Sequence, residues 1–216
     1  MKDIYVVTHT QSRHHIAGLV GGWYDAGLTD LGRMQAGMVA SRLQDVIGGS
    51  RPLEIYASDL LRAAETAQII SARLSVEAKT TSDLREMNYG GAGGKPQTWF
   101  NDRVVRAPKI GNRLDHRGGI EDAETKREVI TRVYRAMDMI IESPCPTQII
   151  VTHGYTLTFV VAAWVKMPVE AAGYINMRSS PGGITHLRED DEWFNRYVMS
   201  LNVMTHMAEP SPDLAS

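Results

Sequence analysis

Apolar and polar positions alternate along the chain with a period that changes several times. Short apolar runs rich in β-branched residues predict buried strands, and longer runs with a period near 3.6 predict helices. The predicted strands cover residues 3–9, 53–57, 76–80 and 149–153, with two late strands at 183–188 and 193–201 that suit an antiparallel pair. The predicted helices run from a Thr29 cap to Gly48-Gly49, open at Ser58-Asp59, and cover 123–141 and 156–166. This alternation predicts one α/β domain with three α/β/α layers and a mainly parallel central sheet.

Two long stretches lack a clear period. Residues 10–27 are polar and glycine-rich and predict a long loop. Residues 87–121 are also irregular, and a stretch of that length is usually functional, so we expect an insertion that caps a site. We place the domain at residues 1–208 and expect a frayed tail at 209–216, which contains proline and serine.

Two predicted strands end on the same pair of residues, a threonine followed by a histidine. His9 follows the run Ile4 to Thr8, and His153 follows the run Ile149 to Thr152. In α/β proteins, ligands bind beyond the carboxyl ends of the parallel strands. If the two strands lie side by side, both imidazoles share one crevice.

Composition excludes several classes of partner. The formal net charge of the 216 residues is -2, which gives no general attraction to nucleic acid or to an anionic membrane, so any anion site must be local. Cys145 is the single cysteine and cannot form an internal disulfide, which fits a reducing compartment. The apolar run from Leu157 to Val165 falls short of the about 20 residues that a spanning helix needs. We expect a soluble cytoplasmic protein, and the late edge strands allow a homodimer.

Four segments carry the candidate chemistry. They are residues 8–12, 58–67, 84–90 and 151–154. Their order and spacing resemble the histidine phosphatase superfamily, which also contains the cofactor-dependent phosphoglycerate mutases. Matches at 22–25, at 28–32, at Leu201-Asn202 and at His206 extend the resemblance over nearly the whole chain.

The resemblance implies hydrolysis of a small phosphomonoester through a phosphohistidine, with no metal and no cofactor. It makes His9 the nucleophile, which splits hydrolysis into two easier steps. It makes Arg62 a bidentate ligand of the phosphate. It makes His153, if protonated, a donor that stabilises developing charge. It makes Glu86 the acid that protonates the leaving oxygen and then the base that takes a proton from water.

Residues beside these four are candidates for contacts with the phosphate or the rest of the substrate. These candidates are Thr8, Thr10, Gln11, Arg13, His15 and Gly154.

The first segment departs from the family pattern. Members usually carry Arg-His-Gly there, whereas this chain has Thr8-His9-Thr10, and His15 replaces a common asparagine. Losing a preorganised cationic donor costs on the order of 10²–10³ in rate. The absence of this arginine also predicts that the pKa of His9 is higher than in members that carry it. Activity should then fall near neutral pH as the solution is acidified. We expect Arg13 or His15 to supply the missing donor.

Other interpretations of the same residues are weaker. The spacing of His9, His14 and His15 fits no standard zinc site. The glycine-rich run 90–95 misses the spacing of a nucleotide-binding phosphate loop. Ser58 suits a helix cap better than a phosphate ligand. We expect Trp23 and Tyr89 at most to pack behind the residues that contact the substrate.

Two other functions stay open. The chain could be a degenerate family member that binds a phosphorylated or other anionic ligand without turnover. The presence of Thr8 in place of the usual arginine motivates that hypothesis. A mutase reaction is less favoured, because mutases hold specific loops that retain the phosphoenzyme and exclude water.

Overall fold

A computed structural model describes residues 1–49 and 51–207, so the predicted tail at 209–216 lies outside the described residues. The strands are β1 Lys2–Thr8, β2 Leu53–Ser58, β3 Ala78–Thr81, β4 Thr147–Thr152, β5 Ile184–Glu189 and β6 Arg196–Val203. The helices are α1 Arg13–Ile16, α2 Asp30–Ile47, α3 Leu61–Leu74, α4 Gln97–Arg103, α5 Lys126–Glu142, α6 Gly154–Trp164 and α7 Val169–Ala172.

The six strands form a sheet in the order β3-β2-β4-β1-β5-β6. Strands β1 to β4 are parallel, while β5 and β6 run antiparallel at one side. In the register of β1 with β4, Thr8 lies opposite Thr152. The two strands that end in Thr-His are therefore direct neighbours, as the crevice prediction requires.

Helices cover both faces of the sheet and form two hydrophobic cores. On one face, the apolar sides of α5 and α6 pack on Ile4, Val6 and Ile150. On the other face, α2 and α3 pack on Val7 and Val151. Neighbouring residues of the central strands point to opposite faces, which is why these strands are apolar throughout. The prediction of a three-layer α/β fold with a mainly parallel sheet is confirmed.

Some local predictions were wrong. The stretch 10–27, predicted to be a loop, contains α1. The stretch 87–121 is irregular apart from one short 3-10 helix and α4, and its role as an insertion that caps the site stays a prediction. The helices α1 and α4 are too short to show a helical period, because four to seven residues give at most two turns. Ser58 ends β2 and does not cap α3, whose N-cap residue is Leu60.

Two further expectations concern the outside of the molecule. Among the helices of residues 1–49 and 51–207, none combines the length and the apolar character needed to cross a bilayer. Strand β6 forms one edge of the sheet and exposes Met199 and Leu201. The homodimer stays a prediction.

Close packing at Gly32 fixes the segment after β1 against α2. Thr10 donates its hydroxyl to the carbonyl oxygen of Gly32 at 2.7 Å. A Cβ added at Gly32 would overlap the carbonyl oxygen of Gln11, which is backbone and cannot turn away. The segment that carries His9 therefore lies directly on the first turn of α2.

We expect Gly32→Ala to lower the free energy of unfolding by about 1–3 kcal/mol, because the added methyl group overpacks this contact. Gly37→Ala is the matched control in the same helix, since no atom lies within 4 Å of its added Cβ. Alanine is the better helix former, so the control should gain up to about 1 kcal/mol. Urea denaturation of both variants measures the difference, and equal stabilities would contradict this account of the contact.

Candidate active site

A cavity of about 260 Å³ opens where β1, β2 and β4 end. Its lining consists of Thr8, His9, His14, His15, Gly21, Gly22, Arg62, Glu86, Tyr89, Gly154, Ser179 and Pro181. His153 is not a lining residue, but its ring centre lies 5.1 Å from that of His9 in an edge-to-face arrangement. The structure therefore brings His9, Arg62, Glu86 and His153 together, from four separate segments of the chain.

His9 is held as a neutral imidazole with a defined tautomer. Its Nδ1 lies 2.8 Å from the carbonyl oxygen of Thr10. A carbonyl can only accept, so Nδ1 carries the proton and Nε2 keeps its lone pair. Burial, and then the charge of Arg62, hold the pKa of His9 well below its usual range. The predicted loss of activity near neutral pH is not supported, because His9 stays unprotonated without the missing arginine.

Arg62 is almost completely buried, with 1% of its surface exposed. Its Nε donates to His9 Nε2 at 3.2 Å. Its two terminal nitrogens donate to the carbonyl oxygens of Gly22, at 2.7 Å, and Tyr24, at 3.1 Å. These bonds fix the plane of the guanidinium group beside the nitrogen that would attack phosphorus.

His153 is fully buried and bonded on one side only. Its Nε2 lies 2.7 Å from the hydroxyl of Ser58. Its Nδ1 has no hydrogen-bond partner among the described residues. Burial, followed by the charge of Arg62, lowers the pKa of His153 well below its usual range. Ser58 is thus a partner of this histidine, a role that its position before a helix did not suggest.

Glu86 is oriented by the first turn of α6. One carboxylate oxygen accepts from the backbone N–H of Met87 and from the hydroxyl of Thr156, and the other accepts from the N–H of Tyr155. Arg132 on α5 holds the same segment by donating to the carbonyl oxygen of Glu86 at 2.9 Å. The carboxylate therefore has a fixed direction at the wall of the cavity.

Three of the residues expected to contact the phosphate do not line the cavity in this structure. Thr10 turns its hydroxyl to Gly32, away from the cavity. The side chain of Gln11 accepts a hydrogen bond from the hydroxyl of Thr29. Arg13 is exposed on α1, and it is not among the lining residues. The sequence alone could not give the direction of these side chains, because the chain turns sharply after β1.

In this chain, groups other than an arginine lie beside His9, at the place where the family pattern has one. Thr8 lines the cavity, and its hydroxyl oxygen is buried with no hydrogen-bond partner among the described residues. The ring of His15 stacks on that of His9, with 5.4 Å between centres. Arg85, which precedes Glu86, forms a bidentate ion pair with Asp59. His15 is the better-placed substitute of the two that the sequence suggested.

The sequence suggested for His14 only a weak metal-site interpretation, yet His14 also lines the cavity. Its Nδ1 lies 2.8 Å from the hydroxyl of Ser12. Burial and the neighbouring His15 lower the pKa of His14 to about 3. Partial burial and Arg62 also lower the pKa of His15. Within residues 1–49 and 51–207, no group of three acidic, histidine or cysteine residues is arranged to hold a metal ion.

Sequence reasoning missed some lining residues altogether. Ser179 and Pro181 reach the cavity from the segment before β5, where no motif marks them. Tyr89 lines the cavity itself, whereas the sequence suggested only a supporting place. Arg132 lies on the buried side of α5. A charged residue within an apolar helix face is the sequence pattern that could have indicated its role.

Comparison with known proteins agrees with the fold and the order of the segments. The model of the histidine phosphatase superfamily (branch 1) matches residues 4–199. A probable phosphoglycerate mutase of Yersinia pestis is 26% identical over 180 residues, which are 83% of this chain and 82% of that protein.

Solved structures show the same fold. A mycobacterial glucosyl-3-phosphoglycerate phosphatase, studied with VO3, superposes with a TM-score of 0.77 at 22% identity and covers 94% of this chain and 100% of its own. A putative alpha-ribazole-5'-P phosphatase of Escherichia coli superposes with a TM-score of 0.70 at 20% identity and covers 94% of this chain and 96% of its own.

The buried neutral histidines should make the fold sensitive to acid. In the unfolded chain a histidine takes up a proton near pH 6.5, whereas in the folded protein the lowered pKa of His14 prevents this until about pH 3. The unfolded state therefore binds more protons between these values, and stability is lost as the pH falls through that window. Urea denaturation between pH 8 and pH 5 should show the loss.

His14→Asn isolates one such group, because the asparagine can keep the bond to Ser12. We expect the pH dependence of its unfolding free energy below pH 6.5 to be shallower than in the wild type, by up to about 1.4 kcal/mol per pH unit. The slope is the readout, since the substitution also changes packing. Parallel curves for the two proteins would show that His14 is protonated in the folded state.

Proposed function

The chain belongs to the histidine phosphatase superfamily (branch 1), and on that premise we propose that it is a phosphatase that hydrolyses a small phosphomonoester through a phosphohistidine on His9. The observation that carries this proposal is the state of His9. Its Nδ1 is tied to a carbonyl oxygen and its Nε2 lone pair lies beside the Nε of Arg62. A neutral nitrogen next to a fixed guanidinium group suits attack on a phosphorus whose oxygens that group binds.

Groups around His9 fit the oxygens of a phosphate. The Arg62 Nε–H lies 3.2 Å from the attacking nitrogen, so a phosphate oxygen can take over this donor when phosphorus approaches. The Thr8 hydroxyl and His153 Nδ1 are buried polar atoms without a partner among the described residues. Buried polar groups normally have partners, and a bound phosphate would supply them here.

His153 can serve as a donor without being protonated. Ser58 Oγ accepts the N–H of Leu60 at 3.3 Å, and its own hydroxyl proton can be donated to His153 Nε2. The neutral ring then carries its proton on Nδ1, the nitrogen that lacks a partner. We propose that this N–H stabilises the charge that develops on an equatorial oxygen of the transferring group.

In the first step, His9 Nε2 attacks phosphorus and the bond between phosphorus and the leaving oxygen breaks. Glu86, in its protonated form, gives its proton to that oxygen, so the alcohol leaves neutral. The phosphoryl group is then bonded to His9 Nε2, and the resulting positive charge on the imidazole is stabilised by the Nδ1–H bond to Thr10.

In the second step, water attacks the phosphohistidine. Glu86, now a carboxylate, takes a proton from the attacking water, and the bond between phosphorus and Nε2 breaks. Inorganic phosphate leaves and both His9 and Glu86 return to their starting states. Arg132 acts as a positioning residue here, because it holds the backbone that aims Glu86.

Binding without turnover is the second candidate, and the threonine at position 8 favours it. The bond from Arg62 to His9 Nε2 also engages the lone pair that must attack. Release of inorganic phosphate separates the two candidates. It also separates hydrolysis from the mutase reaction that the name of the Yersinia pestis relative carries, because a mutase returns the phosphoryl group to its substrate.

Release of phosphate from phenyl phosphate tests the proposal, without added metal and between pH 5 and pH 9. We expect His9→Ala to lower turnover by at least about 10⁴-fold, as for other nucleophile deletions. Arg13→Ala is the matched control near the site, and it should leave turnover unchanged. A folded wild type that binds phosphate but releases none from any phosphomonoester would favour the binding protein.

We expect His15 to supply part of the charge stabilisation that the missing arginine would give. Its ring lies on His9 and lines the cavity, so we expect His15→Ala to lower kcat/KM for phenyl phosphate by up to about 10²-fold, as for loss of one charge-stabilising donor. If His15→Ala and Arg13→Ala behave alike, His15 does not contact the phosphate.

A further inference from the structure

A second cavity of about 250 Å³ lies next to the first one. Tyr89 lines both cavities, so its ring stands at their shared border. The second cavity is enclosed by the segment 104–120 together with the first turns of α5 and α6. We call it the leaving-group cavity.

Apolar and aromatic side chains form much of its wall. They include Met87, Phe100, Val104, Ile120 and Tyr155. An apolar cavity of roughly 150 Å³ is enough for one benzene ring. The leaving-group cavity therefore has room for a ring and one substituent.

Among the described residues, the charged side chains that line it are all basic, and none of the lining side chains is a carboxylate. Arg117 is already paired with Glu128 through two hydrogen bonds. Lys126 and Arg113 are different. The Lys126 ammonium donates to the carbonyl oxygen of Gly173. A terminal nitrogen of Arg113 donates to the carbonyl oxygen of Pro108, while the Nε of Arg113 is buried without a partner among the described residues.

Both of these cations line the same cavity. Burial, and then the charge of Arg113, lower the pKa of Lys126. Lys126 also begins α5, where the helix dipole adds positive potential. Two cations that line one partly apolar cavity, with no carboxylate among the described lining residues, suit an anionic group on a bound molecule.

The cavity is also joined to the catalytic carboxylate. The backbone N–H of Tyr155 donates to Glu86 at 3.1 Å, while the Tyr155 ring lines the leaving-group cavity. The Lys126 ammonium lies 5.7 Å from the centre of that ring. An alcohol that takes a proton from Glu86 can therefore extend past Tyr89 towards Lys126.

We propose that the substrate is the phosphate ester of a ring-containing, largely apolar alcohol that carries a second anionic group, which binds Lys126 and Arg113. The anionic group is a carboxylate or a second phosphate. This inference rests on the proposed phosphatase function, because it assigns the leaving group of that reaction.

Three substrates test the inference: phenyl phosphate, 4-carboxyphenyl phosphate and the bisphosphate of benzene-1,4-diol. We expect kcat/KM to be at least about tenfold higher for one of the two charged substrates than for phenyl phosphate, the factor that about 1.4 kcal/mol gives. Preference for the carboxylate or for the bisphosphate identifies the anionic group. Equal values for all three substrates would overturn the inference and leave the phosphatase proposal standing.

Lys126→Met locates the effect. It should lower kcat/KM for the preferred charged substrate about tenfold more than for phenyl phosphate. Lys109→Met is the matched control, because it removes the same charge from an exposed position in the segment 104–120, outside the lining. If the two variants keep the same preference as the wild type, the cations do not bind the substrate.

Calorimetric binding of the product 4-hydroxybenzoate and of hydroquinone monophosphate separates failure of the inference from failure of the proposed function. If no aryl phosphate is turned over, but one of these ligands binds the wild type and Lys109→Met and binds Lys126→Met at least about tenfold more weakly, the phosphatase proposal fails and the anion site stands. If neither ligand binds and none of the three esters is turned over, both fail.

Discussion

The contact between the Arg62 Nε and His9 Nε2 joins the two residues on which the rest of the candidate site depends. It places a permanent positive charge 3.2 Å from the nitrogen that is to react. Together with burial, that charge keeps His9 and His153 neutral. The contact depends on the sheet, because β2 and β1 run parallel on either side of β4 and so place the start of α3 and His9 at the same end of the sheet.

The neutral histidines explain how the chain can lack the usual arginine at position 8. In the free protein, the cavity is lined by one arginine and one carboxylate, and the remaining donors are uncharged. The anion that binds there would meet a fixed guanidinium group, a histidine N–H and a hydroxyl. Because one cation is missing, the site offers less positive charge, and under our proposal a charge contact in the leaving-group cavity would offset part of that loss.

The sequence predicted the sheet, its layers and the convergence of His9 with His153, because apolar period and strand-end chemistry depend on local residue patterns. The roles of Thr10, Gln11 and Arg13 could not be read in this way. Thr10 and Gln11 lie in the segment after β1, which the contact of Gln11 with Gly32 holds against α2, and Arg13 begins a helix too short to show a period. The partnership of Ser58 with His153 spans 95 residues along the chain, and no local pattern encodes it.

The central claim is that His9 Nε2 becomes covalently bonded to phosphorus. The most direct measurement is rapid quenching of the wild-type protein during turnover of phenyl phosphate, followed by peptide mass spectrometry in alkali, where phosphohistidine survives. The account predicts a phosphoryl group on His9 that forms and decays at rates compatible with turnover. Turnover with no phosphoryl group on His9, or with one on another residue, would contradict it.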